Sequence, residues 1–178
     1  MYTYDKLFSE YRHTVAQVLL TGSDIADEAR RAHFENTMRR LLELSALPII
    51  NENDKVATDE IVIGENDNLA GVVATTIHAD LLVLLSDIDG LYTADPHTDP
   101  TARRIEVVDS ITPEIMALGG GSGSSLGTGG MMTKLRAAER VTEAGIDMVI
   151  ANGDDPMLLY DVLDGKPVGT LFKGKGTR

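Results

Sequence analysis

The 178-residue sequence has no cysteine and no tryptophan, and only 4% of its residues are aromatic. Without cysteine there is no disulfide framework and no thiolate site for zinc or an iron–sulfur cluster. A cysteine-free chain suits a reducing compartment, and a cytoplasmic location is the expectation. Bases are also scarce, 16 against 28 acids, for a net charge of −12. Such a balance argues against a nucleic-acid backbone as the main partner. Long apolar runs are missing; the longest, such as residues 81–85, are strand-sized, so no membrane span is expected. The first residues, MYTYDK, lack the basic start and apolar run of a signal peptide.

What is present describes a globular chain. Hydrophobic residues make up 43% and charged residues 25%, a composition unlike that of disordered chains. The length suits one domain that buries roughly 70% of the surface its unfolded chain exposes. The acidity is concentrated. Residues 51–99 hold eleven acids and one base, Lys55, so −10 of the −12 lies there. Such a stretch is either a solvated acidic face or one that meets cations or ammonium groups.

Periodicity places helices at residues 4–11, 27–45, 69–77, 113–118, 131–144 and 156–163. Asn66, Asp67 and Asn68 supply cap-type residues before the third of these. Strands are predicted at 14–20, 48–50, 79–86, 105–108, 148–151 and 168–172. The run ADLLVLLS at 79–86 has no polar alternation, as in a strand covered by helices on both faces. Alternating strands and helices imply an α/β sandwich with a parallel-rich sheet. Ligands of such sheets sit at the carboxyl ends of the strands. The polar stretches 51–54, 86–89 and 152–155 each follow a predicted strand directly, which makes them candidates for one edge.

Three patterns could carry chemistry. The segment GGGSGSSLGTGGMMTK at 119–134 has seven glycines in its first twelve residues and opens into a helix. Dense glycine lets backbone N–H groups approach a ligand, and a helix start favours an anion. Lys134, expected in the first turn, adds a positive charge. The spacing fits neither a Walker A loop nor G-x-G-x-x-G, which leaves a phosphate loop of unassigned type or a flexible surface loop. Second, Glu-Asn-Asp occurs at 52–54 and again at 65–67. Carboxylates beside carboxamides suit a ligand with both ammonium and carboxylate groups, although turn and cap roles account for such residues equally well. The spacing fails the calcium-loop pattern, and the four histidines are scattered, so no protein-held metal is assigned. Third, Ser86-Asp87 closes the most apolar strand, where a nucleotide could lie. Met131, Met132, Leu135 and Ala138 read as the core face of a helix.

Together, PIINENDKVATDEIVIGENDNLAG (48–71), LLSDIDGLYTADP (84–96) and GSSLGTGGMMTKLRAA (123–138) closely resemble the glutamate 5-kinases, the γ-glutamyl kinases of the amino-acid kinase family. VAQVLLT near the start and VGTLF near the end extend the resemblance over nearly the whole chain. It implies a three-layer α/β/α sandwich with a mainly parallel sheet. It also implies transfer of the γ-phosphoryl group of ATP to the side-chain carboxylate of L-glutamate with Mg2+, the first step of proline biosynthesis. Carried over by motif, Asp54 and Asn66 would hold glutamate, with Asp54 at its ammonium group. Asp67 would orient the catalytic lysines, among them Lys134. Ser86, Asp87, Thr128, Gly129, Gly130, Met131, Met132, Thr133 and Lys134 would contact ATP. A homo-oligomer and a functional link to γ-glutamyl phosphate reductase are further implications.

Members of the family begin with a strand and a glycine/serine phosphate loop that carries a second lysine, a segment without a counterpart in these residues. The resemblance therefore implies that residues 1–178 are a partial amino-acid kinase domain, lacking the N-terminal phosphate-loop portion. Such a chain would have weak or no kinase activity by itself. Two alternatives are kept: a non-catalytic nucleotide-binding fragment, and another amino-acid kinase with a different acceptor.

Overall fold

In a computed structural model, the chain is described over residues 1–53, 66–120 and 128–176; of Thr128 and Gly129 only the backbone is described. The elements in chain order are α1 (Tyr2–Ser9), β1 (Thr14–Leu20), α2 (Gly22–Ala26), α3 (Glu28–Glu43), β2 (Ala46–Glu52), α4 (Asn66–Thr76), β3 (Leu81–Ser86), β4 (Val107–Val108), α5 (Pro113–Leu118), α6 (Thr128–Glu143), β5 (Asp147–Asn152), α7 (Leu158–Leu163) and β6 (Thr170–Phe172). They fall into two compact units, Met1–Leu69 and Ala70–Arg178.

In the first unit β1 and β2 pair in parallel, with Thr14 opposite Ala46 and Leu20 opposite Glu52. The connection runs through α2 and α3; α3 buries Phe34 and Met38, one helical turn apart, while Leu42 stays 55% exposed. Its apolar stripe is therefore narrower than the sequence spacing implies. Asp27 caps α3 by accepting from Arg30 N at 2.9 Å.

The second unit holds a four-stranded sheet in the order β3-β5-β6-β4. β3 and β5 are parallel, β4 and β6 are parallel, and β5 and β6 are antiparallel. With β1–β2, three of the four pairings among the described residues are parallel, as expected of an α/β fold. One reading is corrected. The most apolar run, β3, stands at an end of the strand order, and its Leu85 is 45% exposed. The strand covered along its length is β5, where Met148 to Ala151 are all buried. Residue type alone does not say which apolar strand is central; its neighbours do.

The core of this unit joins Leu135, Ala138 and Val141 of α6 to Met148 and Ile150 of β5 and Phe172 of β6. Small residues let the helices meet. A methyl group added to Gly71 of α4 would lie 3.5 Å from Ala137 of α6, ordinary contact with little room beyond. α6 closes with Gly145 at φ 82, and Ile146 N donates to Val141 O at 2.9 Å, a six-residue closure that reverses the chain into β5. α4 ends in the same way, with His78 at φ 53 and Ala79 N donating to Ala74 O at 3.0 Å.

Candidate functional site

The parallel register of β3 and β5 sets Ser86 opposite Asn152, so two of the three polar stretches singled out in the sequence share one edge. The exits of the strands are tied together. Gly153 N donates to Ser86 O at 2.7 Å, and Asn152 Nδ2 donates to Asp87 O at 3.5 Å. Asn152 Oδ1 also accepts from Asp154 N at 2.7 Å, turning the chain sharply away from the sheet. A side chain at Gly153 would meet Leu85 Cβ at 3.1 Å, so the exits pack closely. Ser86 Oγ donates to Asp87 Oδ1 at 3.0 Å, and Asp87 is exposed. The third stretch, 51–54, follows β2 in the first unit, and Asp54 lies outside the described residues.

α6 packs on β5 and joins it through the tight turn at Gly145, so helix and strand run in opposite directions. The N-terminal turns of α6 therefore lie toward the carboxyl ends of β5 and β3. There the helix dipole favours an anion. The helix starts at Thr128, three residues before the position expected, so Thr128, Gly129 and Gly130 are helical and Lys134 stands in the second turn, not the first. Thr133 Oγ1 and Lys134 Nζ both donate to Gly130 O, at 2.9 and 3.4 Å. Met131 packs against the core as expected. A side chain at Gly119 would come within 2.7 Å of Leu135 Cδ1 and 3.2 Å of Met132 Cα, so this glycine admits the helix beside it. Residues 121–127 of the glycine-rich segment lie outside the described residues.

Asn66 and Asp67 occupy the first turn of α4, at the end of the first unit. Asn53 N donates to Leu20 O at 2.7 Å, continuing the β1–β2 pairing past its last residue. At the end of β1, Thr21 and Asp24 form a reciprocal capping box around α2, an element the sequence reading missed although T-x-x-D is its signature. The hydrogen bond from the Thr21 hydroxyl holds the Asp24 carboxyl below the usual range.

A further group near the site was also missed. Asp89 accepts the Tyr92 hydroxyl at 2.8 Å and pairs with Arg104 at 3.4 Å. The hydrogen bond to Asp89 raises the Tyr92 phenol above its ordinary range. Thr170, fully buried, accepts from Leu91 N at 2.8 Å and donates to Ile105 O at 2.6 Å. Apart from Asp89 and Tyr92, these partners lie 15 to 79 residues apart in the chain, with no local pattern to link them.

The fold is thus an α/β architecture of the kind that takes phosphate-bearing ligands at its strand ends. The chain belongs to the amino acid kinase family, whose family model matches residues 1–152. It is 48% identical over 98% of its length to glutamate 5-kinase from Clostridium perfringens, and spans 66% of that relative. It is also 48% identical over its whole length to glutamate 5-kinase from Deinococcus radiodurans, spanning 49% of it. An isopentenyl phosphate kinase structure superposes on 97% of the chain with a TM-score of 0.63 at 19% identity, the chain covering 64% of it; this likeness concerns the fold alone.

Proposed function

We propose that the chain carries the nucleotide- and glutamate-binding part of a glutamate 5-kinase. The observation that carries this reading is its sequence match to glutamate 5-kinases along nearly the whole of its length. The reaction would be attack of the γ-carboxylate oxygen of L-glutamate on the terminal phosphorus of ATP. One P–O bond forms, the bond to the ADP oxygen breaks, and the products are γ-glutamyl phosphate and ADP. Both reactants are anions, so positioning and charge stabilisation matter more than covalent chemistry.

In this reading Asp54 and Asn66 bind glutamate, and Asp67 orients the catalytic lysines. Ser86, Asp87 and residues 128–134 contact ATP. The start of α6 and Lys134 would offset the charge on the transferring phosphoryl group, a single such donor typically being worth about 3–4 kcal/mol. Among the described residues there is no group of three or more metal-ligating side chains. Magnesium commonly arrives on the phosphates and retains several waters; bound there, it would screen the phosphate charge.

The reading extends to a homo-oligomer and to a reductase that consumes γ-glutamyl phosphate, since an acyl phosphate is readily lost to water. It also places the chain in the cytoplasm, which the absence of cysteine suits. The test incubates the full chain with ATP, magnesium and hydroxylamine, with L-glutamate, aspartate, carbamate or UMP as acceptor. Hydroxylamine traps acyl phosphates as hydroxamates, and ADP release follows every acceptor. The expected result is γ-glutamyl hydroxamate from L-glutamate alone, slower than the roughly 1–100 per second usual for kinases. Preferential transfer to another acceptor would overturn the reading, as would a chain that binds neither nucleotide nor L-glutamate.

A further inference from the structure

The turn that follows the proposed nucleotide edge is restrained from several sides by residues with no part in phosphoryl transfer. On one side, Gly153 N and Asn152 Nδ2 hold the carbonyls of Ser86 and Asp87. On the other, the Asp89 carboxylate accepts Tyr92 Oη on one oxygen and pairs with Arg104 on the other. Tyr92 and Arg104 also meet as an antiparallel bridge. Gly90, at φ 150, sits between: a side chain there would meet Thr170 Oγ1 at 2.5 Å and Arg104 Cδ at 3.0 Å.

Arg104 is costly in one respect. Its Nε is buried and has no hydrogen-bond partner among the described residues. A buried donor left unpaired opposes folding, and an apolar side chain of similar length would avoid that cost. The charge is better explained by what it does to Asp89, which follows the edge by two residues.

We propose that Arg104 and Asp89 are positioning residues for the nucleotide, acting through the backbone of Ser86-Asp87 and touching no ligand themselves. The proposal rests on the reading of Ser86-Asp87 as a nucleotide contact. With the pair intact the edge is ordered before ligand arrives. Without it, binding must also order the turn, and affinity falls.

The test is isothermal titration of AMP-PNP with magnesium into the wild-type chain, Arg104→Met, Asp89→Asn, the double variant and Arg104→Lys, each with a thermal melt. The expected outcome is a roughly three- to tenfold weaker Kd for each of Arg104→Met and Asp89→Asn. The double variant should be no weaker than the worse single, and Arg104→Lys should recover part of the loss. Wild-type affinity in a folded Arg104→Met or Asp89→Asn variant would overturn the proposal even if melting falls, as would independent addition of the two effects. Should Arg104→Met fail to fold, Asp89→Asn, which keeps an acceptor for Tyr92, decides by the same criterion. A wild-type chain that binds no nucleotide would overturn the underlying reading of the edge, a result distinct from equal binding by all variants.

Discussion

Replacing Thr170 by valine tests the packing of the second unit at a single hydroxyl group. The two side chains are nearly the same in shape, so the change removes Oγ1 and little else. That oxygen accepts from Leu91 N at 2.8 Å and donates to Ile105 O at 2.6 Å, linking β6 to the chain on both sides of residues 92–104. Leu91 is 1% exposed and Thr170 is 0% exposed, so water cannot replace the lost acceptor without opening the structure. Each hydrogen bond contributes about 1 kcal/mol net, and the stranded Leu91 N–H costs about 1–3 kcal/mol. A buried methyl group in place of the hydroxyl returns about 0.8 kcal/mol. The expected net loss is about 2–4 kcal/mol, or roughly 4–16 °C in Tm for a domain of this size.

The assay is guanidinium unfolding followed by circular dichroism, with Thr170→Ser as the control. Serine keeps both hydrogen bonds and gives up one methyl group, so its loss should stay near 1 kcal/mol. A valine variant within about 0.5 kcal/mol of wild type, or a serine variant as damaged as the valine, would refute the reasoning.

Three further perturbations have definite expected outcomes. Gly169→Ala should lose about 2–5 kcal/mol in the same unfolding assay, from left-handed strain plus overpacking, because Gly169 has φ 66 and an added Cβ would meet Ile150 O at 2.0 Å. His78→Gly should raise stability by about 0.5–1 kcal/mol, since His78 holds φ 53 at the end of α4 where Gly145 serves α6. Asp24, whose carboxyl the Thr21 hydroxyl holds below the usual range, stabilises at neutral pH, and that contribution is lost as pH falls through its depressed folded-state pKa. The difference in Tm between wild type and Asp24→Asn should accordingly shrink below about pH 4.

Local signals were legible where they were strong. Thr14–Leu20 and Pro113–Leu118 have the predicted bounds, the first from a β-branched and apolar run, the second from proline at a helix start. The shared edge of the stretches 86–89 and 152–155 followed from polar residues placed directly after two predicted strands, but the pairing of Ser86 with Asn152 did not. The start of α6 was misplaced because Gly129-Gly130 has low helix propensity. α2 is only five residues long, too short for periodicity to detect, although its capping box was visible. The Asp89–Tyr92–Arg104 group and Thr170 depend on contacts between distant parts of the chain, and one sequence carries no pattern for them. Of the partners proposed for glutamate, Asp54 lies outside the described residues and Asn66 belongs to the first unit; both rest on motif resemblance.

The central claim is that nucleotide binds at the edge formed by the ends of β3 and β5 and the start of α6. Titrating the isotope-labelled chain with AMP-PNP and magnesium while following backbone amide signals tests it most directly. The account predicts saturable shifts at Ser86-Asp87, at Asn152 to Asp154 and across residues 128–134. Shifts confined to the opposite ends of the strands, around Leu81 and Asp147, or no saturable shift at all, would contradict it.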